Sequence, residues 1–125
     1  MTADLGSKLQ IKAGQSVALL HVPDDVTIEL PEGCMRTTDP AGAEVVVTFV
    51  ASRDELSERA APAVEAALRD ALTWVAYPKA GQQGTDLNRD SVRDLLMPRG
   101  VQPVRQVAID DVWSALRFRP ALPVG

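Results

Sequence analysis

Two apolar runs on either side of one amphipathic segment most constrain what this chain folds into. Residues 44–50 (EVVVTFV) and 72–77 (LTWVAY) are rich in β-branched and aromatic side chains, with apolar residues at both odd and even positions. Such continuous runs are typical of strands that are covered on both faces of a sheet. The segment between them has apolar residues at helical spacing. The sequence therefore predicts a strand, a helix and a second strand parallel to the first.

The start and the interior of this helix carry clear signals. Ser52 and Glu55 have the spacing of a capping box, in which the two side chains satisfy free amides of the first turn. Pro62 lies farther along, where proline costs a backbone hydrogen bond. We therefore expect either a kinked helix or two stacked helical pieces.

The remaining strands follow from the same patterns. Residues 16–22 form an apolar run and predict a strand, and residues 34–37 predict a short, weak one. Residues 103–109 and 113–119 predict two more strands. Because the connection between these last two is so short, they must form an antiparallel hairpin.

A second helix and the chain ends complete the expected domain of 125 residues. Asn88 is placed as the N-cap of a short amphipathic helix, and Gly100 is placed to end it as a left-handed cap. We expect residues 1–15 to be a loosely held lead-in and residues 120–125 a loose tail. A chain of this length suits a single domain with one core.

Composition excludes several function classes. The formal net charge is −4, which disfavours binding to a phosphate backbone and thus to nucleic acid. Cys34 is the only cysteine and His21 the only histidine, so we expect no disulfide and no zinc cluster. A lone thiol fits a reducing compartment, and no apolar run approaches a membrane span, so we expect a cytoplasmic protein without a membrane partner.

The order of elements raises a question about the second face of the sheet. If successive strands are added in one direction, right-handed crossovers place both helices on the same face. Residues 22–43 contain no convincing helix for the other face, although the strands are apolar there. Either residues 1–15 and 22–43 cover that face, or another protein molecule does. We expect the latter, as a homodimer or a protein partner docked on the helix-free face.

Several stretches resemble a family of small bacterial proteins of unknown function, found largely in actinobacteria. They are residues 74–79 (WVAYPK), 85–90 (TDLNRD) and 103–120 (PVRQVAIDDVWSALRFRP), and residues 9–18 and 43–55 fit too. The resemblance covers most of the chain, but this family has no assigned activity to transfer.

The layout is also loosely similar to a truncated class I methyltransferase. This resemblance implies a Rossmann-like α/β sandwich, with a mostly parallel mixed sheet and a C-terminal antiparallel hairpin. Methyltransferases of this class bind S-adenosylmethionine on a glycine-rich loop after their first strand. Here residues 21–25 (HVPDD) stand in that place without a glycine, and the helix that normally follows is missing. We therefore predict no cofactor.

Candidate ligand-binding residues follow from the rule that open α/β sheets bind ligands at the carboxyl ends of their strands. His21 is either an acid–base group or a solvated strand-end residue. Lys79 lies in a glycine-containing loop that either binds an anion or is simply a surface loop. Asp110 is alternatively a turn former. The predicted set is His21, Ser52, Lys79, Thr85, Asp86, Asp110 and Trp113.

Three arginines, Arg105, Arg117 and Arg119, fall on the predicted hairpin and form either a small basic stripe or salt bridges with local acids. We favour salt bridges because the chain is acidic overall.

For function, we favour a non-catalytic binding or interaction protein, including a regulatory one. The reasons are that no glycine-rich cofactor loop, nucleophile–base pair or metal cluster is evident. The alternative is a small-molecule methyltransferase that uses S-adenosylmethionine with a degenerate cofactor loop.

Overall fold

The computed structural model describes residues 2–24, 26–82 and 84–121, and over these the chain forms an α/β fold. One six-stranded mixed sheet is accompanied by a separate pair of short parallel strands. In chain order the elements are β1 (Thr2–Asp4), α1 (Leu5–Lys8), β2 (Ser16–Leu20), β3 (Thr27–Glu29), β4 (Met35–Thr37), β5 (Val45–Phe49), α2 (Arg53–Arg59), α3 (Ala61–Leu68), β6 (Leu72–Pro78), α4 (Arg89–Leu96), a 3₁₀ turn (Met97–Arg99), β7 (Val101–Ala108) and β8 (Trp113–Pro120).

The main sheet has the spatial order β4-β2-β5-β6-β8-β7. The first four of these strands are mutually parallel, whereas β8 runs antiparallel to both of its neighbours. Strand β7 therefore has the same direction as β6, and the carboxyl ends of β2, β5, β6 and β7 share one edge. The predicted α/β class, with a mostly parallel sheet and a C-terminal antiparallel hairpin, is confirmed.

Local signals place the helices where the sequence predicts them. The Ser52 hydroxyl accepts from the Glu55 amide at 3.1 Å, while Glu55 reaches back to the amide of Ala51 at 2.9 Å. Pro62 lies in the first turn of α3, where its missing N–H costs no hydrogen bond, so the segment forms two helices. Asn88 and Ser91 form a reciprocal capping box on α4, and Gly100 has a φ of 95°.

Helices α2, α3 and α4 pack on one face of the sheet, as the crossover argument predicts. Leu56 of α2, Val64 of α3 and Val92 of α4 belong to one buried cluster. The same cluster includes Val75 and Tyr77 of β6, which alternate with the strand residues that face the other way.

The opposite face is covered by the chain's own N-terminal third. Leu9, Ile11 and Val26 are buried there and belong to one cluster with Phe49 and Trp74. The half-buried residues Ile28, Leu30 and Cys34 pack against this cluster. The premise of an uncovered apolar face is therefore wrong. The homodimer or protein partner expected on the helix-free face loses its physical reason.

Three long-range hydrogen bonds hold the segment 8–10 on the sheet. The indole Nε1 of Trp74 donates to the carbonyl of Leu9 at 3.0 Å, in a buried position. The Lys8 ammonium donates to the carbonyl of Ile109 at 2.6 Å. Arg117 donates to the Gln10 side-chain oxygen at 3.2 Å. The expected loose lead-in is thus corrected over these residues, because their backbone and side chains are bonded to the sheet.

The two ends of the chain also differ from expectation. Strand β1 pairs in parallel with β3, so residues 2–4 have defined backbone partners. Pro120 ends β8, and the amide of Ala121 donates to the carbonyl of Gly100 at 2.9 Å. Met1 of the expected lead-in and residues 122–125 of the expected tail lie outside the described residues.

None of the helices in the described ranges is both long and apolar enough to cross a membrane.

Candidate functional site

The residues predicted from the sequence do not converge on one site. Ser52, Thr85 and Asp86 join two segments of the chain to each other. The Thr85 hydroxyl donates to the carbonyl of Ala51 at 2.7 Å. The Asp86 carboxylate accepts from the Arg53 amide at 2.9 Å. Together with the Ser52 cap, these bonds fasten the loop after β6 to the first turn of α2, so these three side chains have structural partners.

Replacing Asp86 with alanine should destabilise the fold rather than abolish a binding activity. The change removes the acceptor of a first-turn amide, and losing such a partner at a helix N-terminus costs about 0.5–2 kcal/mol. Urea unfolding measures the effect, with Glu58→Ala on the exposed side of α2 as the control. Equal stability of the two variants would show that the Asp86 contact contributes nothing.

Asp110 and Trp113 belong to the turn between β7 and β8. The Asp110 carboxylate accepts from the amides of Val112 at 2.8 Å and Trp113 at 2.7 Å, as a turn-forming aspartate does. The Trp113 ring is only 4% exposed and meets the ring of Phe49 edge-on, with centroids 5.3 Å apart. Both residues therefore have structural roles at the carboxyl edge: Asp110 stabilises the turn and Trp113 packs in the core.

His21 follows β2 as predicted, but it is exposed and has a φ of 59°, a left-handed backbone conformation. The residues beside it, up to Asp24, are described, whereas Asp25 of the expected 21–25 turn lies outside the described residues. Val22 and Ala51, which follow β2 and β5, pack against the buried cluster of Phe49 and Trp113. Apolar side chains thus occupy the region where these two parallel strands end.

Of the predicted residues, Lys79 lines a cleft at the carboxyl edge. This carboxyl-edge cleft has a volume of about 540 Å³ and lies between the ends of β6 and β7, the start of β8 and the N-terminus of α4. Its lining residues are Tyr77, Lys79, Ala80, Asn88, Arg89, Asp90, Gln106, Val107, Ala108 and Ser114.

A small hydrogen-bond network lies along the cleft. The side-chain amide of Gln106 donates to the Tyr77 hydroxyl at 3.1 Å and to the Ser114 hydroxyl at 3.3 Å. Ser114 in turn donates to the carbonyl of Val107 at 3.1 Å. Tyr77 and Ser114 are both buried, so this network fixes the polar atoms in one arrangement.

The side chains of the cleft supply a hydrogen-bond donor and positive charge, which suit an anionic ligand. Burial raises the pKa of the Tyr77 hydroxyl, and the opposing influence of Ser114, Arg89 and Gln106 is smaller. Tyr77 therefore keeps its proton at neutral pH. Lys79 and Arg89 add two cations, and Arg89 makes an exposed 3.4 Å ion pair with Asp90. Such a pair contributes little energy, so the guanidinium can exchange it for a ligand.

Sequence reasoning missed Tyr77, Arg89, Gln106 and Ser114. For Tyr77 a signal was present: it lies two residues before Lys79, so both side chains fall on the same face of the extended chain. Gln106 and Ser114 carried no comparable signal, because their place in the cleft depends on the strand order.

No protein-family model matches the chain, and no curated protein matches it.

Proposed function

We propose that this protein is a non-catalytic binding protein that holds a small anionic molecule in the carboxyl-edge cleft. The observation that carries the proposal is the combination of Lys79 and Arg89 with the hydroxyl and amide groups of the Tyr77–Gln106–Ser114 network. The chain as a whole is acidic, with a net charge of −4. Two cations beside a polar cleft are therefore not explained by the overall composition, and they support binding of an anion there.

The chemistry of the cleft supports binding better than catalysis. A general acid or base works best with a pKa near the ambient pH. The pKa of Tyr77 is shifted upward by burial, away from neutrality. Asp90, the carboxylate among the lining residues, is an exposed partner of Arg89 and Arg93. The cleft thus offers charge and fixed hydrogen bonds, which hold a ligand without transferring protons.

A ligand screen tests this proposal. Thermal unfolding is measured with inorganic phosphate, nucleotides, acyl-CoA and S-adenosylmethionine, since a ligand of the native state raises its stability. For a ligand that stabilises, Lys79→Ala and Arg89→Ala should each weaken affinity roughly tenfold or more, as charge-assisted hydrogen bonds contribute about 1.5–3 kcal/mol. Lys12→Ala, an exposed lysine at the opposite edge of the sheet, is the matched control. Unchanged affinity in both cleft variants would overturn the proposal.

The second candidate is the methyltransferase, and the strand order favours it. Five strands of the main sheet are parallel to one another, and in chain order they are β2, β4, β5, β6 and β7. If these five are numbered 1 to 5, their spatial order is 2-1-3-4-5, with the antiparallel β8 between the last two. This is one of the two common orders of doubly wound, Rossmann-like sheets, whose ligands bind where the order reverses. That place lies between the ends of β2 and β5. Here Val22 and Ala51 pack there on the Phe49–Trp113 cluster, which argues against a cofactor.

Calorimetry with S-adenosylmethionine separates the two candidates. We expect no binding heat, because the segment after β2 lacks the glycine that lets a chain approach a cofactor closely. Micromolar binding would favour the methyltransferase and overturn the non-catalytic proposal. Methyl transfer to a substrate would then be the activity to assay.

We further propose a cytoplasmic location, supported by the single free thiol of Cys34. The relationship to small actinobacterial proteins of unknown function, inferred from residues 74–79, 85–90 and 103–120, is likewise a proposal.

A further inference from the structure

A second cleft adjoins the carboxyl-edge cleft and is lined by three arginines. This arginine cleft has a volume of about 230 Å³, and its lining residues are Arg89, Arg93, Pro103, Arg105, Gln106 and Leu116. Arg89 and Gln106 line both clefts, so the two clefts are neighbours along α4 and β7.

The fold brings these arginines together from two elements. Arg89 and Arg93 stand four residues apart on α4, which places them on the same side of the helix. Arg105 lies on the edge strand β7 and is exposed. Like charges gathered in this way repel one another, so their proximity has an energetic cost unless an anion offsets it.

The carboxylates nearby offset this charge only in part. Arg93 contacts Asp94 at 3.0 Å and Asp90 at 3.4 Å, and all of these side chains are at least 40% exposed. Exposed ion pairs of this kind are weak and readily exchanged. Arg105 has no carboxylate within ion-pair distance in the described part of the chain. Across both clefts the lining contains Lys79 and the three arginines but one acid, Asp90.

The edge strand itself argues against a peptide as the occupant. An added strand needs a regular row of free backbone groups on β7. Pro103 has no amide to donate, and the register with β8 shifts between Pro103 and Arg105. A small molecule held by side chains fits this edge better than a strand does.

We infer that the ligand is an organic phosphate, with its phosphoryl group where the arginine cleft meets the carboxyl-edge cleft at Arg89 and its polar body farther into the carboxyl-edge cleft. The inference rests on the proposed function and names the ligand class of the same site. Guanidinium groups present paired N–H donors that match phosphate oxygens, and three arginines line this cleft. The Gln106 amide nitrogen is used within the network, and its side-chain oxygen can then accept from hydroxyl or amide groups of the body.

Calorimetry with AMP and with glucose 6-phosphate tests this inference, beside adenosine, glucose and inorganic phosphate. We expect at least one ester to bind at least tenfold more tightly than its unphosphorylated parent and than inorganic phosphate. Arg105→Ala should weaken that ester at least tenfold, and Arg105→Lys should restore only part of the loss. The exposed Arg99→Ala is the matched control and should leave affinity unchanged. The ester that binds distinguishes a nucleotide from a sugar phosphate.

Lys79→Ala distinguishes the failure of this inference from failure of the proposed function. If Lys79→Ala weakens a ligand while Arg105→Ala does not, the arginine cleft has no role and the phosphate inference is wrong, although the proposed function stands. Equal affinities for an ester and its parent also overturn the inference. If no ester, parent or other anion of the ligand screen binds, both proposals fail.

Discussion

Replacing Leu9 with alanine is expected to lower the free energy of unfolding by about 2–5 kcal/mol, the usual cost of truncating a fully buried leucine. Leu9 has no exposed surface and packs on the face of the sheet opposite α2, α3 and α4. Its carbonyl also accepts the indole N–H of Trp74, so a shift of this segment leaves a buried donor unpaired.

Leu68→Ala is the matched control for this prediction, measured by urea unfolding of both variants. Leu68 lies in α3 and is 50% exposed, so its truncation should cost about 1 kcal/mol or less. If Leu9→Ala were no more destabilising than Leu68→Ala, the N-terminal segment would not form part of the core, and the uncovered face would again require a partner.

Replacing Trp113 with alanine should be about as damaging, with a loss of about 3–5 kcal/mol. The indole is 4% exposed and packs edge-on against Phe49. Its Nε1 is buried without a hydrogen-bond partner among the described residues. Trp113→Phe keeps most of the ring and loses no hydrogen bond, so it should cost much less.

Thermal or urea unfolding of the two Trp113 variants tests this expectation. A Trp113→Ala protein as stable as the wild type, with altered ligand affinity, would return Trp113 to the binding site in which the sequence placed it. The expected outcome instead separates two kinds of residue at the carboxyl edge. Trp113 supports the frame, whereas Lys79 is partly exposed and available to a ligand.

Elements that depend on local signals could be predicted from the sequence. The strand at Val45–Phe49, the cap at Ser52, the break at Pro62 and the left-handed Gly100 each depend on a few neighbouring residues. Even the placement of the helices on one face followed from the order of elements alone.

The covering of the second face could not be predicted in the same way. Leu9 and Ile11 alternate with Lys8, Gln10 and Lys12, which is a weak strand-like pattern in a short polar segment. The position of this segment is set by the distant residue Trp74, which provides both the apolar surface that the segment covers and the N–H that bonds the carbonyl of Leu9. A contact across so long a stretch of chain is set by the tertiary structure.

The candidate site was predictable to the same limited extent. Lys79 could be predicted because open α/β sheets bind ligands at the carboxyl ends of their strands. Ser114, by contrast, lies at the cleft because β8 inserts between β6 and β7. This insertion pairs Tyr77 directly with Ser114. Strand order in a mixed sheet is decided by long-range packing, so residues on β7 and β8 could not be assigned to the site beforehand.

The late insertion of β8 has a consequence for synthesis on the ribosome. Strands β6 and β7 are made first, yet within the main sheet β7 pairs only with β8, which the ribosome produces afterwards. During elongation the half-built sheet therefore ends at β6, with the apolar residues of that strand lacking a neighbour. Nascent chains that stop before Trp113 have the N-terminal strands but lack β8 and its Ser114, so they have no complete cleft.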